Sequence, residues 1–281
     1  MIPSILPSTG PIGVFDSGYG GLTILDKIRG LMPEYDYIYL GDSARCPYGP
    51  RSFEVVYEFT LQAVSKLFEL GCPLVILACN TASAKALRTI QQINLPVIDA
   101  TRRVLGVIRP TAECIGEITR SRHVGILATA GTIKSESYLL EIHKLSPDIV
   151  VTGEACPMWV SLVENNEYQS EGADYFVKQH INRLLDKDPM IDTIILGCTH
   201  YPLLLDKIRQ FTPGHIRIIA QGEYVARSLQ DYLNRHPEMD ARCEKGGKCR
   251  FLTTESENKF EESASIFLGR QDIKVESIAL E

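Results

Sequence analysis

Residues 74–87 read LVILACNTASAKAL and residues 193–205 read TIILGCTHYPLLL. In each stretch an apolar run ends at a cysteine, small polar residues follow, and a second apolar segment begins. Val75, Ile76, Leu77 and Ala78, like Ile194, Ile195 and Leu196, form continuous runs with β-branched members, the pattern of a strand buried on both faces of a parallel sheet. Cys79 and Cys198 then stand where a strand ends. Asn80, Thr81 and Thr199 are residue types that cap helices, and Ala84, Leu87 and Ile90 in one copy, or Leu204 and Ile208 in the other, continue as amphipathic segments. Each stretch predicts strand, turn and helix, with its thiol at the strand edge where open α/β sheets bind ligands.

The same alternation extends outward in both directions. PIGVFDS (11–17) predicts a strand, GGLTILDKIRGLM (20–32) a helix and DYIYLGD (36–42) a second strand. Over 51–70, Phe53, Val56, Tyr57, Leu61, Val64, Leu67 and Phe68 recur at helical spacing, and Gly71 stops the helix. PVIDA (96–100) is expected as a short strand, and HVGILAT, SESYLLEIHKL, IVVTGEA and YFVKQHINRLL carry the alternation to TIILGC. The tail predicts strands at RIIAQ, RFLTT and near IKVESIAL, with helices at 221–234 and 256–268. Asp16 lies 63 positions before Cys79 and Thr129 lies 69 before Cys198, which indicates a duplicated α/β unit. The expected fold class is α/β: two pseudosymmetric parallel-sheet domains, 1–102 with 216–281 and 103–215, and a site in the cleft between them.

The chain has 281 residues, 44% hydrophobic and 23% charged, with a net charge of −6. Its lysines and arginines are scattered among acids, which argues against a nucleic-acid partner. No apolar run approaches the roughly 20 residues of a membrane span, and MIPSILPSTGP lacks the pattern of a signal peptide. A cytoplasmic protein without a membrane partner is expected, its eight cysteines free thiols. GYGG lacks the full dinucleotide-binding spacing, and CEKGGKC (243–249) lacks the half-site spacing of structural zinc, so neither predicts a cofactor or metal. The leader 1–10, Cys46 and CEKGGKC have no role assigned by the sequence.

Two thiols across one cleft have a definite chemistry. One removes a proton from a face of a carbon while the other delivers a proton to the opposite face, which inverts a stereocentre. The carbon acid is weak, so oriented donors must stabilise developing charge; Ser17, Thr81 and Thr199 are candidates. A thiol also needs help to act as a base near neutrality. Asp16, at the end of the first predicted strand, and His200, two residues after Cys198, are the candidates to supply it.

DSGYGGL (16–22), DSARCPYG (42–49), ACNTAS (78–83), LATAGT (127–132), LVE (162–164) and GCTHYPLL (197–204) together resemble the cofactor-independent glutamate racemases, over nearly the whole chain. The resemblance implies interconversion of L- and D-glutamate without cofactor or metal, supplying D-glutamate for peptidoglycan. It implies that Cys79 acts on D-glutamate and Cys198 on L-glutamate, with Asp16, Glu164 and His200 assisting. It further implies substrate binding by Asp16, Ser17, Pro47, Tyr48, Gly49, Asn80, Thr81, Thr129, Thr132, Thr199 and His200. A homodimer and activation by a cell-wall precursor are expected on the same ground. The competing readings are an aspartate racemase of the same superfamily and a non-catalytic thiol redox or binding protein.

Overall fold

Both quoted stretches begin in strands that are buried at every position. The computed structural model describes residues 9–269 and 273–280; the expected leader lies outside them except for its last two residues. In chain order the strands are β1 (Ile12–Asp16), β2 (Tyr37–Gly41), β3 (Leu74–Leu77), β4 (Arg103–Gly106), β5 (His123–Ala128), β6 (Val150–Ala155), β7 (Thr193–Gly197), β8 (Arg217–Ile219), β9 (Cys249–Thr253) and β10 (Val275–Ser277). Among the described residues they form two sheets, β10-β9-β2-β1-β3-β4 and β6-β5-β7-β8. All neighbours pair parallel.

The order β2-β1-β3-β4 in the first sheet recurs as β6-β5-β7-β8 in the second. In each, the chain leaves a central strand to one side and then crosses to the other. That reversal opens a crevice beyond the carboxyl ends of β1 and β3, and again beyond those of β5 and β7. Cys79 and Cys198 follow β3 and β7, so the duplicated spacing of the sequence corresponds to duplicated winding.

Strand alternation divides each sheet's apolar residues between two faces. Ile12 and Val14 join one core and Phe15 the opposite one, while Ile194 and Leu196 separate from Ile195 in the same way. The helix Phe53–Glu69 covers the Phe15 face with Val56, Ala63, Val64, Leu67 and Phe68. Each of these side chains except the single methyl of Ala63 contributes about 1.5–3 kcal/mol by leaving water. Ser52 caps the helix, its Oγ accepting from the Val55 N–H at 3.3 Å. Gly71, at φ +92°, turns the chain out of it in a conformation that a Cβ would oppose.

PVIDA departs from expectation. Leu95–Ile98 is a helical turn with Pro96 in its first turn, where the missing N–H costs nothing, whereas in a ladder it would remove a bond. Val97 is 86% exposed, so its β-branched side chain does not report a buried strand. The strand beside β3 is instead β4, four residues long and too short to show a period. Arg103–Gly106 thus belongs to the first sheet, and Arg217–Ile219 pairs with β7 in the second. The chain crosses between the sheets after Gly106 and after Ile219, a few residues beyond the expected boundaries at 102 and 216. Strands β9 and β10 return to the first sheet beside β2. The helix Gly222–Arg235 buries Val225, Ala226, Leu229 and Leu233 with Leu22, Leu25 and Ile28 of the first unit. Among the described residues no helix is long and apolar enough to cross a membrane.

Candidate active site

The carboxyl ends of β1, β3, β5 and β7 contribute to one small cavity of about 20 Å³, room for roughly one water. Ser17, Pro47, Tyr48, Gly49, Cys79, Asn80, Thr81, Thr129, Cys198, Thr199 and His200 line it, with Cys46 and Val160. Three other expected residues stand one bond behind. Thr132 Oγ1 is 3.1 Å from Thr129 Oγ1, Asp16 accepts from Thr199 Oγ1 at 3.3 Å, and Glu164 Oε1 lies 2.9 Å from His200 Nε2. A larger open groove of about 410 Å³ lies beside Arg103 and Tyr232. It contains none of the expected residues and neither thiol, so volume does not mark the chemistry here.

The helix after β3 begins at Asn80, and its N-cap is Cys79 itself rather than the expected Asn80 or Thr81. Cys79 Sγ accepts from the Ala82 N–H at 3.4 Å and lies 3.3 Å from Ser17 Oγ. Asn80 is thereby freed for a buried ring: its Nδ2 donates to Gln221 Oε1, Gln221 Nε2 to Tyr138 Oη, and Tyr138 Oη to Asn80 Oδ1, each at 2.7 Å. After Cys198 the chain makes a turn and a short 3-10 segment, Tyr201–Leu204, before the helix Leu205–Phe211. Thr199 is therefore not a cap either; its hydroxyl reaches across to Asp16 instead.

Further bonds join the two units around the cavity. Thr81 Oγ1 lies 2.9 Å from Thr129 Oγ1 and 3.4 Å from Thr132 Oγ1, and the Gly131 N–H donates to Gly49 O at 3.1 Å. Cys46 Sγ donates to Glu164 Oε1 at 2.9 Å. The GYGG turn fits because it lacks side chains at two points. A Cβ on Gly18 would stand 2.9 Å from both Cys46 Sγ and Glu164 Oε1, and one on Gly20 would stand 2.4 Å from Thr199 Oγ1. The sequence shows these glycines as a turn, although their close approaches come from residues distant in the chain: Cys46 of the same unit, and Glu164, Thr199 and His200 of the other.

Burial dominates the electrostatics. It raises the Asp16 carboxyl above its usual range despite His200 and the N–H groups of Gly21 and Gly18. Burial, and then the Asp16 charge, push Cys79 up to about 12, opposed by Ser17 and the Ala82 N–H. His200 is different: burial opposes its charge, but Cys198 and Glu164 together hold its pKa well above the ordinary histidine value. Its Nδ1 lies 3.9 Å from Cys198 Sγ. Burial likewise opposes ionisation of Glu164, and the His200 and Cys46 bonds outweigh it, leaving its pKa below the usual value. Cys198 thus has beside it an imidazole whose charged form the thiol and Glu164 favour, and Cys79 a hydroxyl and a backbone donor.

Two thiols at equivalent strand ends share one small cavity with hydroxyl and amide donors, the set of groups that proton transfer to and from a small molecule requires. The Asp/Glu/Hydantoin racemase family model matches residues 23–229, and the chain belongs to that family. Within it, the similarity is to glutamate racemases. The glutamate racemase of Ruegeria sp. (strain TM1040) is 38% identical over 270 residues, 92% of this chain and 97% of that one. The Francisella tularensis glutamate racemase, solved in complex with D-glutamate, superimposes with a TM-score of 0.86 at 32% identity, covering 97% of this chain and 98% of its own. The Escherichia coli glutamate racemase, solved with L-glutamate and the activator UDP-MurNAc-ala, gives a TM-score of 0.75 at 28% identity, over 96% and 99% of the two chains. The fold is the expected one, and the chain is an amino-acid racemase.

Proposed function

We propose that this site interconverts L- and D-glutamate by a two-base reaction, with Cys79 exchanging the proton of D-glutamate and Cys198 that of L-glutamate. The observation that carries the reading is the pair of strand-end thiols on one cavity. From D-glutamate, the Cys79 thiolate takes the Cα proton, the electron pair passes toward the α-carboxylate, and the Cys198 thiol gives its proton to the opposite face. His200 then returns a proton to Cys198. In the reverse direction the roles exchange, and Asp16 serves the Cys79 side as His200 serves the other. Glu164 keeps the imidazole protonated and aimed.

A thiol raised by burial becomes a base when a cation arrives beside it, and the substrate's own ammonium group supplies that charge. The carboxylates are held by neutral donors: the Thr81, Thr129 and Thr132 hydroxyls, Ser17, Thr199, Asn80 and the Tyr48–Gly49 backbone. Pro47 shapes that loop. The reaction proceeds in the cytoplasm, and its D-glutamate supplies peptidoglycan. A homodimer rests on the resemblance alone; activation by a cell-wall precursor is supported by the ligand of the E. coli relative.

The test is solvent exchange. In deuterated water each glutamate enantiomer should acquire deuterium at Cα while optical rotation decays, and Cys79→Ser and Cys198→Ser should each lose most racemisation with unchanged thermal unfolding. Absence of exchange with glutamate, or near wild-type turnover in either variant, refutes the assignment.

A further inference from the structure

Cys46 is a thiol that the two-base reaction does not use. Its Sγ lies 2.9 Å from Glu164 Oε1, and the same oxygen lies 2.9 Å from His200 Nε2. Sulfur, carboxylate oxygen and imidazole nitrogen all fall within 4.8 Å of one another. They arrive from both units: Cys46 from the segment after β2, Glu164 from the end of the helix Trp159–Glu164, and His200 from the segment after β7. Gly18 is the floor beneath them, since a Cβ there would stand 2.9 Å from both the sulfur and the carboxylate oxygen. The Glu164 side chain keeps 18% of its exposure, which leaves the cluster a route to solvent.

We propose that Cys46, Glu164 and His200 form a site for a thiophilic divalent cation of the zinc class, taken up as an inhibitor rather than as a cofactor. One sulfur, one oxygen and one nitrogen donor with a fourth position open to water is a set that borderline-soft ions accept. Bonds of roughly 2.0–2.3 Å in a tetrahedron hold ligand atoms roughly 3.3–3.6 Å apart. Contacts of 2.9 Å therefore need to open by about half an ångström, and the sulfur and imidazole nitrogen, within 4.8 Å of each other, would be drawn onto the same ion. On binding, the Cys46 thiol and the His200 Nε2–H release their protons to solvent, and Glu164 ligates as it stands. Thiolate, carboxylate and neutral imidazole then sum with the dication to zero net charge, which a partly buried site accommodates. His200 Nδ1 still faces Cys198 Sγ at 3.9 Å, the outer contact that orients a metal-bound imidazole.

Occupancy has two consequences. It ties the segment after β2 to the second unit beside the cavity, and it leaves His200 a neutral, metal-bound imidazole whose remaining Nδ1 proton passes to Cys198 far less readily than that of an imidazolium. The second consequence rests on the proposed racemisation, whereas binding itself does not. The full-length, reduced protein is titrated anaerobically with Co²⁺ and followed by its thiolate-to-cobalt absorption, then back-titrated with Zn²⁺. One equivalent should saturate the band. Cys46→Ala and Cys46→Ser should abolish it, and the Cys79→Ser/Cys198→Ser double variant should retain it, each variant being checked for native thermal unfolding. A band that survives in Cys46→Ser, or vanishes in the double variant, overturns the site. Zn²⁺ inhibition, normalised to each protein's metal-free rate, should weaken by about tenfold or more in Cys46→Ser; equal sensitivity overturns the regulatory part. Failure of the metal-free protein to racemise glutamate refutes the proposed function and leaves the cobalt result to decide this proposal.

Discussion

Gly20→Ala places a methyl group where the second unit leaves no space. Its Cβ would stand 2.4 Å from Thr199 Oγ1 and 2.5 Å from His200 Nδ1, against an ordinary non-bonded separation of about 3.5 Å. Either the GYGG turn or the segment after β7 must yield by about 1 Å. His200 Nδ1 is also the atom facing Cys198 Sγ, so the displacement falls on the proposed proton carrier of one half-reaction. A misplacement of about 1 Å costs on the order of 100-fold in rate, equivalent to about 2.7 kcal/mol of barrier. Crowding of the packed turn also removes about 1–3 kcal/mol of folding stability. The assay is the initial rate of circular-dichroism change from each enantiomer, run well below the melting temperature of the variant. Gly30→Ala is the control: it lies in the helix Leu22–Leu31 with nothing within 4 Å of a Cβ, and should gain about 0.5–1 kcal/mol with an unchanged rate. A Gly20→Ala rate within about threefold of wild type would refute the claim that this close approach sets the position of His200.

Cys79 is pushed up to about 12, first by burial and then by Asp16, so its thiolate fraction grows about tenfold per pH unit below that value. Because kcat/KM reports the free enzyme, its value for D-glutamate should rise from pH of about 6 to about 9, and a flat profile would contradict Cys79 as the base. Gln221→Leu opens the Asn80–Tyr138–Gln221 ring and takes a partner from Asn80, Tyr138, Thr111 and the Val107 carbonyl, which should cost about 2–5 kcal/mol in urea unfolding; a loss under about 1 kcal/mol would mean that the ring is not a structural tie. Thr129→Val removes the central hydroxyl of the threonine cluster. It should raise KM by about tenfold with little change in kcat, and an equal fall in kcat and kcat/KM would mean instead that the hydroxyl acts only in the transition state.

The thiols were legible in the sequence because their signal is local and doubled: a buried strand announces itself by composition, and the strand end follows from it. Thr81 and Thr199 were readable as strand-end hydroxyls for the same reason, although neither caps a helix as expected, and Thr129 came only with the family resemblance. PVIDA misleads because β-branched residues are read as buried, and Val97 and Ile98 instead face solvent. Strand β4 was missed because four residues carry too little periodicity. Glu164 reads by itself as an ordinary helix acid; its meaning comes from His200, 36 positions away. Cys46, Tyr138 and Gln221 were passed over on similar grounds. Their partners lie 118, 58 and 141 residues off, and a single sequence does not display pairings of that range. The glycines at 18 and 20 were visible as a turn, but the bodies that require their bareness belong to another part of the chain.

The cavity's smallness has a kinetic meaning. A space of about 20 Å³ is room for roughly one water, so the cavity must widen to admit an amino acid and again to release it. The latches are the reaction's own furniture: Thr81 against Thr129, Thr199 against Asp16, Gly131 against Gly49. Release of these latches must therefore come before chemistry, and their re-engagement rebuilds the arrangement that performs it. Where that opening sets the rate, a thicker solvent should slow turnover of both mirror forms alike, and no sharpening of the thiols would compensate.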